Sequence, residues 1–98
     1  MDSIRFVGEK KEEILALAAR HGAVNVRLVK PSAEDAAHET LKLVADFSHG
    51  AQRSNYYDAL IEFQEDLESW LGVSVHVYDA NGFKGADGQA FLKETIAL

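Results

Sequence analysis

The spacing of apolar residues switches repeatedly between the period of a helix and the period of a strand, and this switching constrains the fold more than any other feature. In chain order the pattern predicts a helix, a strand, a short helix, a strand, a long helix, a strand and a last helix. Regular alternation of the two element types is typical of α/β proteins. We therefore predict a two-layer α/β fold, with helices on one face of a small mixed sheet and the other face open.

Turn and cap residues set the bounds of these elements. Gly22 and Gly72 follow two of the helices, where glycine readily takes the left-handed conformation that ends a helix. Pro31, the only proline, ends the first strand. Ser32 and Asp35 have the spacing of a capping box, which predicts the start of a short helix. The other predicted helices cover 9–21, 56–71 and 89–96, and the predicted strands cover 24–29, 40–47 and 73–78.

Length and composition narrow the classes of function. The 98 residues predict one domain, covering 1–98. A formal net charge of −6 repels phosphate backbones, so we expect no general nucleic-acid binding. No apolar run reaches the roughly 18 residues that span a bilayer, and the first residues lack a signal-peptide pattern, so we expect no membrane association. The chain has no cysteine, which excludes thiol chemistry and fits a cytoplasmic protein.

Several segments share their order and spacing with one known family. They cover residues 13–27, 43–47, 63–68, 71–77 and 91–98, and so nearly the whole chain. Together they resemble the minimal nucleotidyltransferases, a family within the DNA polymerase β-like nucleotidyltransferase superfamily. The resemblance implies a nucleotidyltransferase-like fold.

The chemistry of that family resides in two motifs. The first, G-S-x-A-R-G, opens a short helix whose backbone N–H groups hold the triphosphate of the nucleotide. The second is D-x-D on the second strand, joined by a third aspartate on the next strand. Residues two apart on a strand face the same way, so these carboxylates converge and hold two divalent cations.

The phosphate-binding motif is absent from this chain. Its place is taken by Lys30-Pro31-Ser32-Ala33-Glu34-Asp35, which contains no glycine. Pro31 removes one backbone donor, and Glu34 and Asp35 bring negative charge to the position where phosphate should bind. The resemblance therefore implies a nucleotide-loop equivalent at Lys30, Pro31 and Ser32 that has lost its ability to hold a triphosphate.

The metal-binding carboxylates are absent as well. Alignment on 45–47 puts the D-x-D pair at Thr40 and Lys42, and the third aspartate at His76. Lys42 exchanges a carboxylate for an ammonium group, which repels a divalent cation. We therefore predict no catalytic residue, no metal ligand and no cofactor, and we interpret the chain as a pseudoenzyme of the family.

The replacement side chains leave several readings open. Lys42 can form an ion pair with a neighbour, or it can contact phosphate directly in a metal-free nucleotide site with Lys30 and His76. A lone strand histidine such as His76 is more often solvent-facing or hydrogen-bonded than a metal ligand. Glu39 and Asp46, the carboxylates in or beside the second strand, are candidates for a displaced acidic site.

Two classes of function follow from the resemblance. Minimal nucleotidyltransferases are commonly the antitoxin-like partner of a small helical protein, a HEPN domain, encoded beside them in prokaryotes. This implies a cytoplasmic binding protein that occludes a HEPN-type partner, or a homodimer on the same scaffold. The acidic flank of the long helix is a candidate docking surface for a basic partner. The alternative is an enzyme that transfers a nucleoside monophosphate from ATP, with magnesium, to a protein or a small acceptor.

Overall fold

A four-stranded mixed sheet organises the protein, which a computed structural model describes over residues 3–47, 56–83 and 85–98. The strands are β1 Val24–Leu28, β2 Thr40–Asp46, β3 Ser74–Asp79 and β4 Ile96–Ala97, and their order in the sheet is β3-β2-β1-β4. Strand β1 is antiparallel to both β2 and β4, whereas β2 and β3 are parallel. The predicted α/β fold with a small mixed sheet is confirmed.

The helices are α1 Ser3–Glu9, α2 Lys11–Arg20, α3 Ala33–Ala37, α4 Tyr56–Leu71 and α5 Gly85–Lys93. Three of the helices, α1, α2 and α4, enclose one hydrophobic core on one face of the sheet. The helical members of the core come from α1, α2 and α4, and the described residues of α3 and α5 contribute none. From the helices and the two central strands, its most completely buried side chains are Val7, Ile14, Leu28, Leu41, Leu43, Phe63 and Leu67. Among the described helices, none is long and apolar enough to cross a membrane.

Two side chains of α4 protect the outer edge of β3. Strand β3 lies at one end of the sheet, so half of its backbone N–H groups have no strand to bond. Gln64 accepts a hydrogen bond from the N–H of Val77 at 2.9 Å, and Glu68 accepts one from the N–H of Val75 at 3.3 Å. Residues four apart on the helix thus match residues two apart on the strand, which ties α4 to the edge as well as to the core.

The predicted caps are confirmed where the structure describes them. Gly22 and Gly72 both have φ of +73°, the left-handed conformation expected after a helix. Ser32 and Asp35 form the predicted capping box at the start of α3. The predicted loop at 48–50 and a predicted helix cap at Asn55 lie outside the described residues.

The N-terminal region contains one helix more than the sequence predicts. The predicted helix over 9–21 is confirmed as α2, and α1 is an additional helix that ends at Glu9, where the chain turns at Lys10 with φ of −103° and ψ of 8°. The turn lets α1 fold back onto α2, so that Val7 and Ile14 enter the same core. Apolar residues in both helices fit a helical pattern, so the break is decided by this packing and leaves no mark in the local sequence.

The C-terminal region also differs from the prediction of a helix over 89–96. Helix α5 begins earlier, at Gly85, in a stretch predicted to be a turn, and it ends at Lys93. The chain then enters β4, which pairs with β1 through Arg27 and Leu28. Phe91 of α5 stacks on Phe83, with ring centroids 4.8 Å apart, and this contact holds the helix against the chain that follows β3.

A bulge in β1 changes the side of the sheet that Val24 faces. The sequence predicts Val24, Val26 and Leu28 on one face, but Val24 is 39% exposed while the other two are buried. The pairing of β1 with β2 shifts register after Val24, and Asn25 takes a positive φ of 54°. One extra residue in a strand reverses the side on which the preceding side chains lie, which explains the wrong prediction.

Glycine at position 88 allows α5 to approach Phe83 closely, and this generates a prediction. A Cβ atom at Gly88 would lie 2.5 Å from the carbonyl carbon of Phe83, whereas a Cβ at Gly8 in α1 meets no heavy atom within 4 Å. We expect Gly8→Ala to raise the free energy of unfolding by up to about 1 kcal/mol, through better helix propensity. We expect Gly88→Ala to lower it by about 1–3 kcal/mol, because the clash is with backbone. Urea denaturation followed by circular dichroism measures both, and a Gly88→Ala variant as stable as the parent would contradict the close approach.

Candidate functional site

Three predicted positions converge on the sheet face that points away from the core. Thr40 and Lys42 alternate along β2 with the buried Leu41 and Leu43, so they lie on the opposite face. Lys42 pairs in register with His76 on the parallel strand β3. Register partners on neighbouring strands are roughly 5 Å apart and face the same way. The three side chains therefore lie together, at the beginning of β2 and beside it on β3.

The ammonium group of Lys42 is held by an acid from α3. Lys42 Nζ lies 3.0 Å from Asp35 Oδ1. The Asp35 side chain is only 11% exposed and that of Lys42 is 34% exposed, so the pair is partly shielded from water. This contact ties α3 to β2, and it favours the ion-pair reading of Lys42 over direct phosphate binding.

Asp35 has a second task at the start of α3. Its Oδ2 accepts a hydrogen bond from the N–H of Ser32 at 3.2 Å, while Ser32 Oγ accepts one from the N–H of Asp35 at 3.1 Å. The box is reciprocal, and it occupies backbone donors that would otherwise be free for an anion. One carboxylate thus binds the helix start through one oxygen and Lys42 through the other.

Both members of the ion pair have shifted pKa values. The hydrogen bond from Lys42, followed by the backbone N–H of Ser32, lowers the pKa of Asp35 below its ordinary value of 3.8. The hydrogen bond to Asp35 raises the pKa of Lys42 above 10.5, and partial burial opposes this only in part. The charged forms of both groups are therefore favoured across the neutral pH range.

Thr40 and His76 add little to a metal site. Thr40 Oγ1 donates a long hydrogen bond of 3.5 Å to the carbonyl of His38. The His76 side chain is exposed and forms no hydrogen bond or ion pair within the described part of the chain. Across residues 3–47, 56–83 and 85–98, no three histidine or carboxylate side chains come together in a way that could hold a metal ion.

The two carboxylates considered for a displaced acidic site lie far apart. Glu39 precedes β2 in a turn, with φ of 51°, and Asp46 ends the same strand. Seven residues of extended strand separate their backbones by about 20 Å. Asp46 instead accepts a hydrogen bond from the side-chain amide of Asn81, at 3.2 Å. The reading of Glu39 and Asp46 as one acidic site is therefore wrong.

An open cavity of about 340 Å³ lies at the other end of the same strand. Its lining comes from β1, the end of β2, the turn after β3, and α5: Asn25, Arg27, Asp46, Ala80, Gln89, Leu92 and Lys93. The Arg27 side chain donates to the hydroxyl of Thr95, which in turn donates to the carbonyl of Leu92. These bonds fasten the end of α5 to β1. Of the candidate residues, Asp46 lines this cavity, whereas Thr40, Lys42 and His76 do not.

Sequence reasoning located the site but missed the partner of Lys42. The sequence indicates Asp35 as a capping-box residue and as negative charge where the resemblance places the phosphate loop, and neither interpretation pairs it with Lys42. The sequence nevertheless contains a signal, because Asp35 brings a negative charge to the loop segment and Lys42 brings a positive charge to the strand. Two opposite charges at positions that face the same site predict an ion pair.

One solved structure is similar to this protein along its whole length. It is described as that of a candidate minimal nucleotidyltransferase, and it matches with a TM-score of 0.76 and 29% sequence identity. The match covers 100% of this chain and 97% of the other. No protein-family model matches the sequence, and a comparison with curated proteins finds no match either. The two chains therefore share the complete fold and 29% of their aligned residues.

The shifted pKa values of the ion pair predict how stability depends on pH. A lowered pKa in the folded state means that Asp35 stabilises the fold above pH 3.8 and loses this effect as the pH falls through the folded value. The raised pKa of Lys42 means that its contribution persists below pH 10.5 and is lost as the pH rises further. We expect Lys42→Met and Asp35→Asn to reduce the free energy of unfolding near neutral pH, and the difference from the parent to shrink at both extremes.

Urea denaturation at a series of pH values measures this difference. Glu65→Gln is the matched control, because Glu65 is exposed on α4 and forms no ion pair with the described residues. It should leave the neutral-pH stability nearly unchanged. An equal loss for Lys42→Met at every pH would show that the variant acts through packing and that the ion pair contributes nothing.

Proposed function

Since the chain belongs to the minimal nucleotidyltransferase family, we propose that it is a binding protein that keeps the family fold and has lost nucleotidyl transfer. The observation that carries this proposal is the ion pair between Lys42 and Asp35. In our alignment Lys42 has replaced a metal-binding carboxylate, and Asp35 belongs to the segment that replaced the phosphate loop. The two charges that stand at the aligned metal and phosphate positions are thus satisfied by each other.

The residues present do not fit a magnesium ion. Magnesium prefers oxygen ligands in an octahedral arrangement, above all carboxylates and water. At the positions aligned with the family carboxylates stand a hydroxyl, an ammonium and an imidazole, from Thr40, Lys42 and His76. The ammonium repels a divalent cation, and its bond to Asp35 also occupies the nearest carboxylate. For this reason we derive no step through a metal, and we assign no cofactor to the chain.

The start of α3 does not fit a triphosphate. A helix start binds phosphate through free backbone N–H groups and through its positive dipole end. Here the Asp35 carboxylate already accepts from the N–H of Ser32, and Pro31 has no N–H to offer. A phosphate approaching Lys30, Pro31 and Ser32 would meet the negative charges of Glu34 and Asp35. The protein's own carboxylate thus takes the place of the anion.

A protein partner is the remaining use of the scaffold. The family resemblance supports an antitoxin-like role, in which the chain binds a small helical HEPN-type protein encoded beside it in a prokaryote and occludes that protein's working surface. The partnership takes place in the cytoplasm and involves neither membrane nor nucleic acid. A net charge of −6 suits a basic partner, and it opposes the assembly of two copies of the chain.

The proposal predicts that ATP with magnesium does not stabilise the protein. A ligand at a hundred times its dissociation constant stabilises a protein by roughly 2.7 kcal/mol. In a domain of this size that corresponds to a rise in Tm of roughly 10 °C or more. We expect a rise below about 1 °C for millimolar ATP and magnesium, measured by thermal shift, because neither the metal nor the phosphates find ligands.

A carboxylate variant is the positive control. Thr40→Asp, Lys42→Asp and His76→Asp together restore the three aligned carboxylates on one sheet face, and we expect this variant to gain magnesium-dependent stabilisation. A magnesium-dependent rise in Tm of the parent would instead support the enzymatic alternative. A rise that needs no magnesium and disappears in Lys42→Met would support direct phosphate binding, and either result would overturn the proposal.

Partner binding is tested by co-expression with the product of the adjacent gene. We expect a complex that survives size-exclusion chromatography with light scattering, and that forms equally well with the parent and with Lys42→Met. Indifference to Lys42→Met follows because the former site takes no part in nucleotide chemistry. A chain that elutes alone in the presence of its neighbour's product would contradict the partner role, and elution at twice the chain mass would support a homodimer.

A further inference from the structure

Trp70 stands out among the exposed side chains of the described residues. It is the only tryptophan in the chain, it lies in the last turn of α4, and it is 62% exposed. Tryptophan buries more apolar area than any other residue, and it is enriched among the residues that dominate binding energy at protein interfaces. An exposed tryptophan next to a concave surface therefore marks a candidate contact site.

A concave surface lies directly beside Trp70, between α2 and α4. The cavity has a volume of about 260 Å³ and is lined by Leu17, Arg20, Asp66, Ser69 and Trp70. Leu17 packs against the hydrophobic core from α2, so the floor of the cavity is anchored in the fold. A partner's side chain could enter here with its apolar part against Leu17 and the indole ring, beside the polar side chains of Arg20, Asp66 and Ser69.

A row of carboxylates leads along α4 to this cavity. Asp58, Glu62, Asp66 and Trp70 are each four residues apart, so they follow one another along the helix, one turn at a time. Helix α4 contains five acidic residues and no lysine or arginine. The row is only partly compensated, because His21 lies 2.6 Å from Asp66 and 3.9 Å from Glu62, and Arg20 stands beside the cavity.

We propose that the cavity, Trp70 and the acidic row form a docking surface for a basic helix of a partner protein. This rests on the proposed function as a binding protein, and it names the surface and the chemistry of the partner. The partner helix carries lysine or arginine every fourth residue, facing Asp58, Glu62 and Asp66, and an apolar residue one turn further on, which enters the cavity beside Trp70. The row spans about 18 Å, the length of 12 helical residues. A second copy of the chain fits poorly, because a twofold contact would bring the acidic row against itself.

The single tryptophan reports directly on this surface. The probe is a synthetic helical peptide with three lysines spaced four residues apart and a leucine four residues after the last. We expect the Trp70 emission to shift to shorter wavelength and its acrylamide quenching to fall severalfold on binding. The matched peptide with glutamate in place of lysine should cause neither change. No change in emission with the lysine peptide at saturation would overturn the proposal.

Affinity for a fluorescein-labelled lysine peptide, measured by anisotropy, separates local contact from general attraction. We expect Trp70→Ser to weaken binding roughly 30-fold, as loss of an interface anchor does. We expect the pair Asp58→Asn and Glu62→Gln to weaken it about fivefold. Circular dichroism should show both variants folded, since the changed side chains are exposed.

The matched control removes the same charge elsewhere. Glu12→Gln and Glu94→Gln together change the net charge by the same two units, and Glu12 lies in the first turn of α2 as Asp58 does in α4. An equal loss of affinity in this control would mean long-range attraction only, and would overturn the proposal. If the co-expressed partner binds Trp70→Ser as tightly as the parent, the docking surface is wrong while the proposed function stands. If the peptide result holds and no partner binds, the proposed function fails and the surface remains.

Discussion

The parallel pairing of β2 with β3 is the constraint on which the rest of the structure depends. Parallel neighbours cannot be joined by a tight turn, so the chain must cross the sheet between them, and α4 lies in that crossover. The crossing brings Phe63 and Leu67 onto the core face, where both are fully buried. It also brings two polar side chains of α4 to the outer edge of β3. The same pairing fixes the register that sets Lys42 opposite His76, so the candidate site is a consequence of the crossover.

The parts of the fold that the sequence predicted are those decided locally. Strand alternation in β2 and β3, the stripe of α4, the left-handed glycines and the capping box all express preferences that a short window of residues contains. The wrong predictions are those decided by distant contacts. Strand β4 has two residues and exists because β1 offers it an edge. Helix α5 contains Gly88, a residue type that favours turns. Glycine is needed there because the backbone of Phe83 leaves no room for a Cβ atom.

Part of the candidate site could likewise be predicted from the sequence, and part could not. The resemblance to the family identified Thr40, Lys42 and His76 as positions of one site, and the parallel register of β2 and β3 places Lys42 beside His76. The partner of Lys42 was not identified, because the distance between α3 and β2 depends on how the connecting turn folds. Only the structure could reveal that Asp35 has one oxygen for the helix start and one for the lysine. The pattern of α4 also predicts Trp70 as a member of the core stripe, and this prediction is wrong, because the side chain is 62% exposed.

The ion pair also makes a metal site difficult to build at this place by single changes. If Lys42 alone became aspartate, its carboxylate would stand beside that of Asp35, and two like charges would share one partly buried place with no cation between them. If Asp35 alone became neutral, Lys42 would lose its partner and α3 would lose a charged cap. Each single step removes an interaction before the other step can supply a new one. Lys42 and Asp35 therefore stabilise each other, and a change at either position alone leaves the other charge without its partner.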